Sequence, residues 1–205
     1  MIYVLHGEDT FSSREFLRTL YSEVGPPEVW DSNITEIEAK GFDIDRFQFA
    51  TQAMPFLGKR RIVVIKGLLG ASEPQGFGAA RRSTKRRSAR SDGPNLSEYL
   101  VQVPPTTDVI FFEGRRLSAT NKILKDISPD ADLREFRPLQ RDDLAQWIRN
   151  WLENKGGNIS GEALNDLIGF VGSDLATMDN ELEKLTTYCD GHPITSADVR
   201  TLVSQ

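Results

Sequence analysis

Thr51-Gln52-Ala53-Met54-Pro55-Phe56-Leu57-Gly58-Lys59-Arg60-Arg61 runs straight into Ile62-Val63-Val64-Ile65, and this join decides the fold. Residues 62–65 are apolar at every position, which suits a strand of a parallel sheet covered on both faces. Upstream, residues 43–53 read as a short helix with Ile44, Phe47, Ala50 and Ala53 on its buried side. Between helix and strand, Pro55 disfavours a helical Met54 and removes a backbone donor, and Gly58 is expected to supply angles closed to other residues. The result is a loop whose tip carries Met54, Phe56 and Leu57. Either these side chains fold back into the core or they form a wedge for a partner, because large apolar patches are rarely left bare.

Working outward, Ile2-Tyr3-Val4-Leu5-His6 is a short apolar strand and Gly7-Glu8-Asp9-Thr10 a turn. Ser12 with Glu15 forms a capping-box pattern opening a helix, with Phe16, Leu17, Leu20, Tyr21 and Val24 on one face and Gly25-Pro26-Pro27 at its end. Residues 29–37 read as a second extended segment. Asn95 and Glu98 suggest a cap for a helix bearing Leu96, Tyr99, Leu100 and Val103, stopped by Pro104-Pro105. Asp108-Val109-Ile110-Phe111-Phe112 is a further buried strand, residues 118–127 a helix, and residues 133–136 the last strand. Strands alternating with helices over residues 1–137 imply an α/β domain with a mainly parallel sheet and helices on both faces.

A strand, a glycine turn and a helix mark where a phosphate-binding P-loop would sit. Such a loop needs Gly, four residues, then Gly-Lys-Ser/Thr, because the lysine reaches the outer phosphates and the hydroxyl holds magnesium. Counting from Gly7, those three places hold Ser12, Ser13 and Arg14, and Glu8 and Asp9 would repel phosphate. The strand at 62–65 ends in Lys66-Gly67, where a magnesium-dependent hydrolase would present an acid. Gly7, Ser12, Ser13 and Arg14 therefore read as a degenerate nucleotide site: triphosphate hydrolysis is not expected, no cofactor or metal is implied, and the helix N-terminus alone could still favour an anion. His6 reads as structural, since no nucleophile or ligand set accompanies it.

From Pro138 the pattern is purely helical. Leu144, Trp147, Ile148, Trp151 and Leu152 form one stripe, Ala163, Leu164, Leu167, Ile168 and Val171 a second, and Leu175, Met178, Leu182, Leu185 and Cys189 a third. Thr195 and Asp198 cap a short fourth helix. The expected division is residues 1–138 as the α/β domain and 139–205 as a three- to four-helix lid, whose Trp and Met stripes are core and not a cofactor box.

The 205 residues are 39% hydrophobic, enough for a real core, and no apolar run is long enough to span a bilayer. No membrane partner and a cytoplasmic location are expected. The single cysteine, Cys189, excludes an internal disulfide and a cysteine-rich zinc site. The net charge of -5 argues against a general nucleic-acid binder. Residues 70–94, rich in Gly, Ser, Pro and Arg, read as a mobile loop. Within it Arg81, Arg82, Lys85, Arg86, Arg87 and Arg90 stand without an acid among them. That run is either a solvated insertion or a phosphate-attracting arm, and the latter makes a nucleic-acid-binding module the alternative function.

The segment Gln52-Ala53-Met54-Pro55-Phe56-Leu57 resembles the clamp-binding segment of the delta-subunit family of bacterial DNA polymerase III clamp loaders. So do Tyr3-Val4-Leu5-His6-Gly7-Glu8-Asp9, Phe136-Arg137-Pro138-Leu139, Gly172-Ser173-Asp174-Leu175 and Asn180-Glu181-Leu182-Glu183-Lys184-Leu185, in consistent order along nearly the whole chain. The tip departs from the pattern in its order Phe56-Leu57 and in Pro55. The resemblance implies a fold of AAA+ type without a working nucleotide site, and clamp-binding residues Gln52, Met54, Phe56 and Leu57. The apolar pair would enter a pocket on the sliding clamp and help open the ring for loading onto primed DNA. It further implies the loader's gamma/tau and delta-prime subunits as partners, and a non-catalytic role within a polymerase assembly. Motor subunits of the loader would need the P-loop lysine, and they and delta-prime a Ser-Arg-Cys motif. Here Cys189 follows Tyr188. The family continues into a helical collar domain beyond the last residue of this sequence.

Overall fold

A computed structural model of the chain describes residues 1–73 and 96–203. They fall into two compact units, Met1–Phe136 and Arg137–Gln205.

The first unit is built on five strands: β1 (Ile2–Gly7), β2 (Ile34–Glu38), β3 (Arg61–Lys66), β4 (Thr107–Glu113) and β5 (Ala131–Phe136). Every pairing is parallel and the order is β2-β3-β4-β1-β5. The apolar run at 62–65 sits between β2 and β4, with Val63 opposite Thr35 and Val109. Period-two alternation divides the interior into two layers. On one face Val4, Val63, Ile65, Val109 and Phe111 pack with Phe47 and Ala50 of α3 (Ile44–Gln52), Leu100, and Leu124 and Ile127 of α6 (Lys122–Ile127). On the other face Tyr3, Leu5, Ile62, Val64 and Ile110 pack with Leu17, Leu20 and Val24 of α1 (Thr10–Val24). Strands buried on both sides explain why 62–65 carries no polar alternation. Among the described residues the unit also holds three short α-helices: α2 (Trp30–Asn33), α4 (Leu68–Ala71) and α5 (Leu96–Leu100).

Several boundaries differ from the sequence reading. α1 is capped by Asp9, whose carboxylate accepts the Ser12 N–H, so Ser12 lies inside the first turn and the Ser12/Glu15 pattern is not a capping box. The nearer acceptor wins because the chain leaves β1 through only Glu8 and Asp9. The extended segment expected over 29–37 begins with a 3-10 turn (Pro27–Val29) and α2, and only Ile34–Glu38 is strand. Trp30 drives this, donating its indole N–H to Gly25 O at 3.0 Å and meeting Tyr21 edge-on. The helix expected over 118–127 starts at Lys122, capped by Asn121. The Ser118 hydroxyl instead accepts the Thr120 N–H in a local turn, which competes with helix. α5 ends at Leu100 and leaves Val103 outside. Gly70 and Ala71 belong to α4 and not to a loop, while the basic run 81–90 and Asn95 lie outside the described residues.

The second unit holds α7 (Arg141–Asn154), α8 (Gly161–Val171), α9 (Leu175–Cys189) and α10 (Ser196–Leu202). Leu144, Ile148, Leu152, Leu164, Leu167, Met178, Leu182 and Leu185 form its interior. Ser160, Asp174 and Thr195 cap α8, α9 and α10, the last by a reciprocal capping box with Asp198. Among the described residues no helix is long and apolar enough to cross a membrane.

Candidate functional site

Because every strand is parallel, all strands start at one edge of the sheet and end at the other. The loop of residues 53–60 precedes β3 and so lies at the starting edge, whereas the Gly7 turn follows β1 and lies at the ending edge. Six residues of strand separate the two edges, about 20 Å at 3.3 Å per residue.

At the starting edge the loop projects its apolar side chains. Met54 is 86% exposed, Phe56 60% and Leu57 81%, and Gln52 is exposed at the end of α3. The fold-back reading therefore does not hold for these three. Phe49, 82% exposed on α3, joins them, so four of the eight large exposed apolar side chains among the described residues fall within nine positions. Phe49 sits off the Phe47/Ala50 buried face, and a large aromatic off the core stripe is the signal that could have found it.

Both stems of the loop are fixed. Thr51, buried, donates its hydroxyl to Phe47 O at 2.9 Å, and its own carbonyl accepts the Thr107 hydroxyl at 3.0 Å. Arg61 donates to Ala50 O (2.7 Å), Ser32 O (3.0 Å) and Thr35 Oγ1 (3.0 Å), tying α3, α2 and β2 to the first residue of β3. Arg60 reaches the buried Asp108 carboxylate at 2.6 Å. The tip itself is held by Asn33, a fully buried residue that hydrogen-bonds the backbone of Phe56. Nothing local in the sequence marks Asn33, since its partner lies 23 positions away. The left-handed residue of the loop is Leu57 (φ 54°) and not Gly58, contrary to the sequence expectation. Glycine at 58 serves close approach: a Cβ there would lie 3.0 Å from Val24 O and 3.1 Å from Asn33 Nδ2.

At the ending edge, the Gly7, Asp9 and Thr10 backbone donors of the turn are engaged within the protein. Gly7 N–H donates to Arg115 O (3.0 Å), Asp9 N–H to Phe136 O (3.2 Å), and Ser12 N–H to the Asp9 carboxylate (2.9 Å). Ser13 is buried with its hydroxyl on Thr10 O, and Arg14 is exposed on α1. A Cβ on Gly7 would stand 1.9 Å from Phe136 O, so the turn is pressed against β5. His6 is buried and its Nδ1 accepts the Leu117 N–H at 3.4 Å. Lys66 pairs with Glu36 at 2.5 Å. Glu113, missed in the sequence, is buried at the end of β4 and accepts N–H groups from Leu69 (2.8 Å) and Gly70 (3.0 Å). Burial pushes its carboxyl above the usual range, opposed by those two bonds. Arg115 donates to Gly70 O beside it. Among the described residues no group of three or more His, Cys, Asp or Glu side chains is placed to hold a metal ion.

A five-stranded parallel sheet ordered β2-β3-β4-β1-β5, helices on both faces and a following helical unit define an AAA+-like α/β module. The Thermotoga maritima RuvB Holliday junction branch migration motor shares this fold at a TM-score of 0.55 and 12% identity, over 98% of this chain and 60% of that one. The chain belongs to the DNA polymerase III delta subunit family, whose model matches residues 3–136. A second family model, described as a middle domain, matches residues 140–201. DNA polymerase III subunit delta of Bacillus subtilis is 23% identical over the whole of this chain and 57% of its own length. The probable DNA polymerase III subunit delta of Aquifex aeolicus is 23% identical over 96% of this chain and 53% of its own. The solved Bacillus subtilis DNA clamp loader delta protein superposes with a TM-score of 0.69 at 22% identity, over 99% of this chain and 58% of that one. The chain thus spans a little over half the length of these relatives.

Proposed function

We propose that this chain is the clamp-binding portion of a clamp-loader delta subunit, acting by docking and not by covalent chemistry. Phe56 and Leu57, with Met54 and Gln52 beside them, enter an apolar pocket on the sliding clamp and favour the opened ring for loading onto primed DNA. The observation that carries the reading is the exposure of Phe56 and Leu57 on a loop whose two stems are fixed by Thr51, Arg61 and Arg60. Solvent-facing apolar side chains on a held backbone lose little conformational freedom on docking and gain the burial of their surface. Truncating one central apolar anchor is expected to weaken binding by about 2 to 4 kcal/mol.

Docking alone does not open a ring: the tip favours opening only as far as it binds the open clamp better than the closed one. ATP-driven control then falls to the gamma/tau subunits, with delta-prime completing the loader and cytoplasmic replication its setting. The nucleic-acid-binding alternative rests on Arg81 to Arg90, which lie outside the described residues, and no observation favours it. A photoreactive amino acid at position 57 tests the reading. It should crosslink to the clamp and be competed by unlabelled protein; labelling of the clamp only from a control position on β5, such as the exposed Leu133, would overturn it.

A further inference from the structure

Asn33 closes α2 and uses every part of its amide. Its Nδ2 donates to Phe56 O at 2.7 Å and to Val29 O at 2.8 Å, and its Oδ1 accepts the Phe56 N–H at 2.7 Å. Rotating the amide by half a turn would set an NH2 group against the Phe56 N–H and an oxygen against two carbonyls, so the network admits one orientation. Phe56 is thereby paired through both of its backbone groups, as a strand residue would be, although it lies in a loop. Its side chain is left facing solvent.

The surroundings allow little slack. Val29 O ties the same amide nitrogen to the turn before α2, and the Lys59 N–H closes the far side of the loop on Val24 O at 3.0 Å. The next residue, Leu57, is turned into the left-handed region that favours glycine. A residue other than glycine at 58 would bring its Cβ against the Asn33 amide. Leu57 occupies an unfavoured conformation where neighbouring contacts over-determine it, as backbone at working sites often does.

We propose that Asn33 is the positioning residue of the clamp-binding tip. It never meets the clamp; it holds the Phe56 backbone so that Phe56 and Leu57 are presented in their docking conformation before the encounter. The inference rests on the clamp-binding reading of the tip. Without the amide, residues 53–60 would sample many conformations, and the fraction ready to dock would fall, which lowers the apparent affinity by that fraction.

The test uses the chain with Asn33→Asp, which keeps the shape and the acceptor for the Phe56 N–H but turns the donor into an oxygen facing Phe56 O and Val29 O. Gly58→Ala, which keeps Asn33 and crowds its amide, serves as the second variant should the first fail to fold. Clamp affinity is measured at a temperature where denaturation curves show each variant folded, alongside hydrogen exchange at the Phe56 amide. The expected result is a loss of affinity of about tenfold or more with faster exchange at Phe56. A lowered melting temperature with unchanged affinity of the folded molecule assigns Asn33 to stability alone and overturns the proposal. Phe56→Ala/Leu57→Ala, measured in parallel, separates the two failures. If that variant loses binding and Asn33→Asp does not, only the positioning role falls; if it too binds like the wild type, the clamp reading falls with it.

Discussion

The Asp9 carboxylate accepts the Ser12 N–H at 2.9 Å, at the N-terminus of α1 where a phosphate would otherwise sit. A carboxylate in that position opposes the attraction of the helix end for an anion, and the neighbouring donors at Gly7 and Asp9 are spent on Arg115 O and Phe136 O. Titration with ATP and magnesium is expected to give no saturable heat in the millimolar range. Asp9→Ala should lower stability by about 0.5 to 2 kcal/mol through the lost cap without creating triphosphate affinity, read by denaturant midpoint and the same titration.

Glu113 ties the pH response to the ending edge of the sheet. Burial raises its carboxyl above the usual range, so the folded state holds this proton more tightly than the unfolded chain. Such a group favours folding at low pH, and that advantage is lost as pH rises through the raised value. Glu113→Gln removes the titration. The stability of the wild type relative to this variant should therefore decline from pH 4 towards neutrality, measured by denaturant unfolding at several pH values; a difference that grows with pH would contradict the assignment.

Cys189 packs at the end of α9, where burial, and then the nearby Asp198 carboxylate, raise its thiol above the ordinary value. Less thiolate at neutral pH means slower alkylation. Iodoacetamide should modify Cys189 more slowly than an unstructured cysteine peptide at pH 7.5, and Asp198→Asn should speed the reaction. Equal rates for protein and peptide would show that the thiol is not so placed.

The α/β layout was legible because its signals are local or periodic. Residues 62–65 announce a doubly covered strand by themselves, and the stripes of α7, α8 and α9 repeat over whole helices. Where the reading failed, two local preferences competed: Asp9 against Ser12 as the cap of α1, and the Ser118 turn against helix before Asn121. At the site, the composition and punctuation of the tip could be read, but not what holds it. Asn33 and Phe56 meet across 23 positions, and Arg61 gathers carbonyls from Ala50 and Ser32, partners that only the assembled sheet brings together. The same gap explains why Leu57 and not Gly58 turned out to be left-handed: glycine was needed for room beside Val24 and Asn33, a demand set by tertiary contact.

Whether the exposed tip at the starting edge of the sheet is what engages the sliding clamp is decided by clamp affinity. Wild type and Phe56→Ala/Leu57→Ala are compared by calorimetry after both are shown to be equally folded, which the exposure of both side chains predicts. Saturable binding by the wild type and a loss of at least about tenfold, roughly 1.4 kcal/mol, in the variant are expected. Equal affinity of the two proteins for the clamp would mean that the tip does not carry the binding.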